Sequence, residues 1–189
     1  MSRAYRISVK ESVNRVIRAE DQVSTELEII EVLPCEDMAR LLADELEKRG
    51  FKKEGEVLVR TENGVTVTVD PKTGTVTVAA EMQESVTEET EKSGHGYDDV
   101  GPSQDKIREN LKSEAQKDLE KKVQERNASL QNKVTDQLEQ QLGDIRAELD
   151  QAVNRVTAEA LKQKAASMGQ IKEMTEDPQT GNLTIVVEV

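Results

Sequence analysis

The sequence predicts an α+β protein: an antiparallel β-sheet with one packed helix, a long amphipathic helix with a coiled-coil-like eleven-residue repeat, and a C-terminal β-hairpin. Three observations predict it. Valine and threonine alternate between Val57 and Val78 around two turn sequences, Asn63-Gly64 and Asp70-Pro71-Lys72-Thr73-Gly74, as in a half-buried antiparallel sheet. From Ser103 to Met168 the chain holds no proline and a single glycine and is rich in Glu, Lys, Gln, Leu and Ala, which is helix-forming composition. A second Asp-Pro-x-Thr-Gly turn, Asp177-Pro178-Gln179-Thr180-Gly181, precedes the apolar run Leu183-Thr184-Ile185-Val186-Val187.

Taken in order, residues 4–33 alternate apolar and polar side chains, with Tyr5, Ile7, Val9, Val13 and Ile17 first and Val23, Leu27, Ile29 and Leu33 beyond. A period of two indicates strand. A break at Ala19-Glu20-Asp21 would fold it into a long hairpin, although Val13, Val16 and Ile17 also suit a short helix. Pro34-Cys35-Glu36-Asp37 then opens a helix, because proline suits the first turn and carboxylates suit its positive end. Met38, Leu41, Leu42 and Leu46 form its buried face. Gly50 ends it where a left-handed residue is wanted, with Phe51 supplying the accompanying apolar contact.

The sheet follows, and its alternation persists through Met82 and Val86 into Glu88-Glu89-Thr90-Glu91-Lys92, an end expected to protrude or fray. The expected organisation is thus a sheet domain over 1–92, a glycine-rich linker over 93–102, the long helix over 103–168, and a hairpin over 169–189 that returns to a sheet. The two Asp-Pro-x-Thr-Gly turns each follow a helix ending in glycine, Gly50 or Gly169. They mark either two related helix-then-hairpin units or a good turn chosen twice.

Along the long helix the apolar positions recur every eleven residues. Val123, Val134, Ile145 and Val156 form one row; Leu138, Leu149 and Ala160 form a second beginning at Asn127; Leu119 and Leu130 form a third that passes to Leu142 and Val153. Eleven residues in three turns is about 3.67 per turn, so the stripe runs nearly straight and any supercoil is right-handed. An unbroken helix of this length would extend on the order of 100 Å at about 1.5 Å per residue, so its stripe calls for a long partner. Leu119, Val123, Leu130, Val134, Leu138, Ile145, Leu149 and Val156 are therefore the candidate interaction residues, expected to be sealed against a neighbouring chain in a homo-oligomer. The opposite face, with Lys121, Lys122, Glu125, Arg126, Lys133, Asp136, Glu139, Glu148 and Asp150, reads as solvated, and Glu148 meets nothing basic along the helix. Gly143 leaves a second reading open, an antiparallel helical hairpin turning at that residue.

Composition narrows the function. With 35% hydrophobic and 34% charged residues, one Phe, two Tyr and no Trp, the apolar material must come as aliphatic stripes and strands. A net charge of -12 repels phosphate backbones and anionic headgroups, so no nucleic-acid or membrane partner is expected. No apolar stretch approaches the roughly 18 residues of a bilayer span, and Met1-Ser2-Arg3 opens no leader-like segment, which predicts a cytoplasmic protein. A single cysteine excludes an intramolecular disulfide.

Catalytic, cofactor-binding and metal-ligating residues are all read as none. The lone histidine, His95, lies in the glycine-rich segment beside Asp98 and Asp99, which is ordinary for a solvated loop and thin for a metal site. Cys35 stands near a helix start, where a thiol can be acidified, but a structural role is the plainer account. With 38 acidic residues, carboxylate pairs arise everywhere and none is singled out as acid and base. Gly94-His95-Gly96 follows no buried strand and lacks the third glycine of a dinucleotide site. No cofactor is expected.

The order helix, Gly-Phe, strand, Asn-Gly hairpin, Asp-Pro hairpin, helix and strand pair is carried by Leu42 to Phe51, Val57 to Val78 and Val153 to Val189. It resembles a small family of cyanobacterial and plastid hypothetical proteins, from which the first 33 residues and the extended helix depart. The whole chain also resembles an accessory domain of bacterial ternary systems whose partners are an FtsH-like or MoxR-like AAA+ ATPase and a von Willebrand A domain protein. That resemblance implies a partner of an AAA+ machine and brings no catalytic residue with it. The expected function is a non-enzymatic scaffold or adaptor that self-associates through its long helix; the alternative is a small regulatory or ligand-binding domain with a helical hairpin.

Overall fold

The structure, a computed structural model, describes residues 4–97, 101–176 and 183–188. Its elements are β1 (Ala4–Glu26), α1 (Cys35–Lys48), β2 (Lys52–Glu54), β3 (Val57–Glu62), β4 (Val65–Val69), β5 (Thr75–Tyr97), α2 (Gln104–Met168), β6 (Gln170–Glu176) and β7 (Leu183–Glu188). The class is α+β as predicted. A five-stranded antiparallel sheet has the order β1-β5-β4-β3-β2, and β6 and β7 form a separate two-stranded sheet. The C-terminal hairpin thus does not return to the main sheet. The turn expected at 177–181 lies outside the described residues. The chain divides into two compact units, Met1–Glu20 with Glu81–Thr135, and Asp21–Ala80 with Asp136–Val189.

In the second unit the turns follow from their residues. Asn63 and Gly64 both have positive φ, 50° and 77°, the pair of left-handed conformations a two-residue hairpin needs to match strand twist, and Glu62 faces Val65 across it. At the next turn Asp70 Oδ1 accepts from the Lys72 N–H at 2.9 Å, and the Gly74 N–H donates to the Asp70 carbonyl. The register then aligns Leu58 with Val69 and Val69 with Val76, and Val67 with Val78. These side chains share one buried face with Val65 and Ala80, while Thr66, Thr68 and Thr77 line the other. Helix α1 buries Met38, Ala39, Leu42, Glu45 and Leu46, and Leu42 and Leu46 are fully enclosed. Burying a Leu or Val side chain is worth about 1.5–3 kcal/mol, so this cluster is the unit's core. Past the helix, the Gly50 N–H donates to the Glu47 carbonyl and the Phe51 N–H to the Leu46 carbonyl. Gly50 sits at φ 89° and Phe51 is buried, the closing motif its sequence calls for.

The first unit is sparser: residues 4–20 of β1 and 81–97 of β5 form a ribbon with the first half of α2 on one face. Ile7, Ile17, Ala19 and Val86 are buried with Leu111, Ala115, Leu119, Leu130 and Val134. Three expectations are corrected here. There is no turn at Ala19-Glu20-Asp21, since that triplet has neither glycine nor proline and β1 runs straight through it to Glu26; Leu27, Ile29 and Leu33 lie beyond the strand. Residues 88–92 do not fray, and 93–97 are not linker but strand. At Gly96 the fit is steric, because a side chain there would strike the Tyr5 ring at 2.6 Å and glycine admits the ring against the strand, whereas one at Gly94 would make ordinary contact with Leu111 and Ile107 of α2 at 3.4–3.6 Å.

Helix α2 passes through Gly143 without interruption, so the helical hairpin is excluded. Gly143 is exposed and has nothing within 4 Å of its missing Cβ. Among the described residues no helix is long and apolar enough to cross a membrane. Gly143→Ala is accordingly expected to raise folding stability by about 1 kcal/mol in denaturant titration, through helix propensity alone. Gly96→Val, which collides with Tyr5, is expected to lower it by about 1–3 kcal/mol.

Candidate functional site

The helical stripe was the candidate interaction surface, and the structure covers it from within. Leu119, Leu130, Val134, Leu138, Ile145, Leu149 and Val156 are all buried in the single chain, Val134 and Leu138 with 0% and 2% exposure, and Val123 is half-buried. Most of the seam is therefore covered within this polypeptide, while Leu142 and Val153 beside it are half-buried. Its periodicity is as expected. A stripe announces that it is covered, and leaves the covering element to be found elsewhere in the chain.

Most of the charges flanking the stripe are exposed as expected, and several also reach protein partners. In the first unit Lys122 Nζ donates to the Glu89 carbonyl at 2.8 Å, Arg126 pairs with Glu88 at 3.2 Å, and Lys92 pairs with Asp118. Each reaches from helix to strand. In the second unit Glu148, which has no basic neighbour along α2, takes both oxygens to Arg60 of β3 at 2.6 and 2.7 Å.

That pair is the centre of a cluster no sequence motif marked. Arg60 occupies the same strand face as Leu58, two residues on, so its guanidinium points inward. It also donates to the Arg49 carbonyl at 3.1 Å and lies 4.6 Å from the centroid of the Phe51 ring. Arg49 donates to the Glu148 carbonyl at 3.2 Å and to Glu45 at 3.0 Å, and Arg155 of α2 approaches Glu45 at 3.7 Å. Both side chains of the Arg60–Glu148 pair are less than a third exposed, and bidentate charge-assisted hydrogen bonding is the strong form of ion pair. The hydrogen bond from Arg60 holds the Glu148 carboxyl below the ordinary glutamate range, and Glu148 raises Arg60 in turn. Chemically the cluster is a latch between α1, β3 and α2, with both terminal nitrogens of Arg60 bonded to protein oxygens. The parity of Arg60 with buried Leu58 is the signal that would have found it.

Two openings flank this cluster in the second unit. A cavity of about 250 Å³ is lined by Arg60, Asn63, Gln141, Asp144 and Glu148 among others. A groove of about 720 Å³ has an apolar floor of Val76, Val78, Leu142, Ile145, Leu149 and Val153. Cys35 is exposed at the start of α1, with Sγ 3.7 Å from the Lys72 carbonyl. His95 is exposed on the face of β5 away from α2. Asp98 and Asp99 lie outside the described residues.

A stability test separates a seam closed within the chain from one shared between chains. Val134→Asp should cost about 3–5 kcal/mol by leaving a buried unpaired charge, with a denaturation midpoint independent of protein concentration; a penalty that disappears on dilution would put a second chain on the seam. The Glu148 carboxyl is depressed only in the folded state. Its contribution is therefore complete at neutral pH and is withdrawn as pH falls from the ordinary glutamate range through the lowered folded value. Glu148→Gln should lower stability at pH 7 by about 1–3 kcal/mol and flatten that acid limb in urea titrations at stepped pH.

Comparison with known proteins places the chain. The model of the FtsH ternary system domain X5 family matches residues 1–189, the whole length. No curated protein and no solved structure matches. The chain belongs to the FtsH ternary system domain X5 family.

Proposed function

We propose that this member of the FtsH ternary system domain X5 family is a non-enzymatic adaptor, an accessory subunit through which an AAA+ ATPase of the FtsH or MoxR type meets a von Willebrand A domain protein in the cytoplasm. The observation that carries this reading is the family match across the full chain. A role without catalysis is supported by where the reactive groups stand. His95 is an exposed strand residue, Cys35 is an exposed residue at a helix start, and Glu148, a carboxylate held below its ordinary range, is tied to Arg60. A nucleophile needs an adjoining base, and the contact Cys35 makes is with the Lys72 carbonyl at 3.7 Å. Self-association through α2 is no part of the proposed function, because the seam is covered within the chain.

A second reading, a small-molecule regulatory domain, is favoured by the 720 Å³ groove, whose size suits a metabolite. It predicts a ligand-dependent rise in melting temperature.

Mixing the purified chain with the FtsH-type ATPase of the same genome is the direct test of the adaptor. Co-elution on size exclusion and an altered ATP hydrolysis rate are expected. The double substitution Cys35→Ser with His95→Ala should leave both unchanged. Separate elution with an unaltered rate, for the FtsH-type and the MoxR-type enzyme alike, would sink the adaptor reading.

A further inference from the structure

In the first unit β1 is an edge strand. It pairs with β5 on one side, and among the described residues no strand lies on the other. An unpaired edge presents a row of backbone donors and acceptors ready to take another strand.

The charge on this edge is opposite to that of the protein. The chain carries -12, yet between Ala4 and Glu20 the basic residues Arg6, Lys10, Arg15 and Arg18 are set against two acids, Glu11 and Glu20. All four basic residues are exposed, whereas Glu11 turns toward α2 and approaches Lys112 at 3.9 Å. Arg15 and Arg18 make no ion pair with any described residue, and Lys10, 77% exposed, reaches only as far as 3.9 Å from Glu91. Arg6, Lys10 and Arg18 are separated by even numbers of residues, so they project from one face of the strand.

The strand that β1 already accepts shows what suits it. On the face of β5 turned away from α2 stand Glu81, Glu89 and Glu91, and Lys10 with Glu91 is the cross-strand pair. Edge lysines and arginines commonly serve to deter sheet-to-sheet aggregation. A row of one sign does more: it repels a second copy of itself, since like charges set opposite each other across strands are destabilising, and it attracts a strand of opposite sign.

We propose that the free edge of β1, over residues 4–20, is a docking edge for an extended acidic segment of another protein, which joins the ribbon by strand addition with carboxylates at alternate positions facing Arg6, Lys10 and Arg18. Backbone hydrogen bonds hold the segment, and its carboxylates set which segments qualify. Nothing in this depends on the identity of the ATPase partner, because it is measurable on the isolated chain.

The probe is a fluorescein-labelled synthetic peptide alternating Glu and Thr, compared by fluorescence polarisation with a Gln-for-Glu twin and with a copy N-methylated at alternate residues. The full chain should bind the Glu peptide, with affinity falling at high salt. Binding should weaken about tenfold or more, the equivalent of 1.4 kcal/mol, for the Gln twin, for the N-methylated copy, and for Lys10→Ser with Arg18→Ser. Lys10 makes only an exposed 3.9 Å ion pair with Glu91 and Arg18 no ion pair with a described residue, so circular dichroism should show the doubly substituted chain folded. No binding of the Glu peptide overturns the proposal. Equal binding of the Gln twin removes the charge argument, and equal binding of the N-methylated copy replaces strand addition with loose surface attraction; either result overturns it too. Amide protection at residues 14–18 that fades on dilution without peptide would assign the edge to a second copy instead.

Discussion

Everything in this fold follows from the need to cover an aliphatic stripe on a 65-residue helix without a second helix of comparable length. Strands of matching reach meet that need. In the first unit, residues 4–20 and 81–97 at about 3.3 Å per residue each advance roughly 56 Å, while residues 104–135 of α2 at about 1.5 Å advance roughly 48 Å. A ribbon of two strands is marginal in water unless something packs on it, and the helical stripe is an unmet apolar surface unless something covers it. Each supplies what the other lacks. In the second unit α1 and the β3–β4 hairpin add a fuller core, and the Arg60–Glu148 latch joins three elements around it.

Much of this is legible in the residues. The Val-Thr alternation, the Asn63-Gly64 turn, the Gly50-Phe51 closure and the eleven-residue rows all state their structure locally, because each is decided by sterics or periodicity within a few residues. What covers the stripe is not stated locally. The covering strand, β5 beyond Ala80, is written largely in Glu, Thr, Ser and Gly, and such residues carry no obvious hydrophobic alternation. Parity nevertheless survives. From Val76 the even positions run on through Val78, Ala80, Met82 and Val86 to Gly94 and Gly96, and Glu84, Glu88 and Lys92 between them are half-buried. Long charged side chains lay their methylenes along apolar surface while keeping the head in water, so a strand facing a helix does not have to look apolar.

The latch was illegible for a different reason. Glu148 is surrounded along α2 by nothing that explains it, and Arg60 sits in a hairpin whose other inward residues are Leu58, Val65, Val67 and Val69. Each residue taken alone is a misfit, a charge at a buried register position or a carboxylate without a local cation. Together they cancel, since removal of either leaves the other charged and partly desolvated. A partly buried pair of this kind contributes little net stability over an apolar alternative, but it penalises any arrangement in which the two are apart. It thereby fixes which residue of α2 lies over β3, a role that a row of interchangeable leucines and valines cannot fill.

The eleven-residue period explains why a sheet could be the cover at all. A seven-residue stripe drifts around its helix with a left-handed sense and is matched by a helix that winds with it. At about 3.67 residues per turn the drift has the opposite hand and is slower, roughly 20° in eleven residues against roughly 20° in seven. A strand's inward side chains lie in one row that twists with its sheet, and a slowly drifting stripe can follow such a row for several turns. In this chain the rows from Val123 to Val156 and from Leu119 to Val153 keep their phase past Gly143, where a hairpin would have reset it. The period of an apolar pattern is thus a statement about the shape of what lies against it, and a coiled coil is one of the shapes it admits.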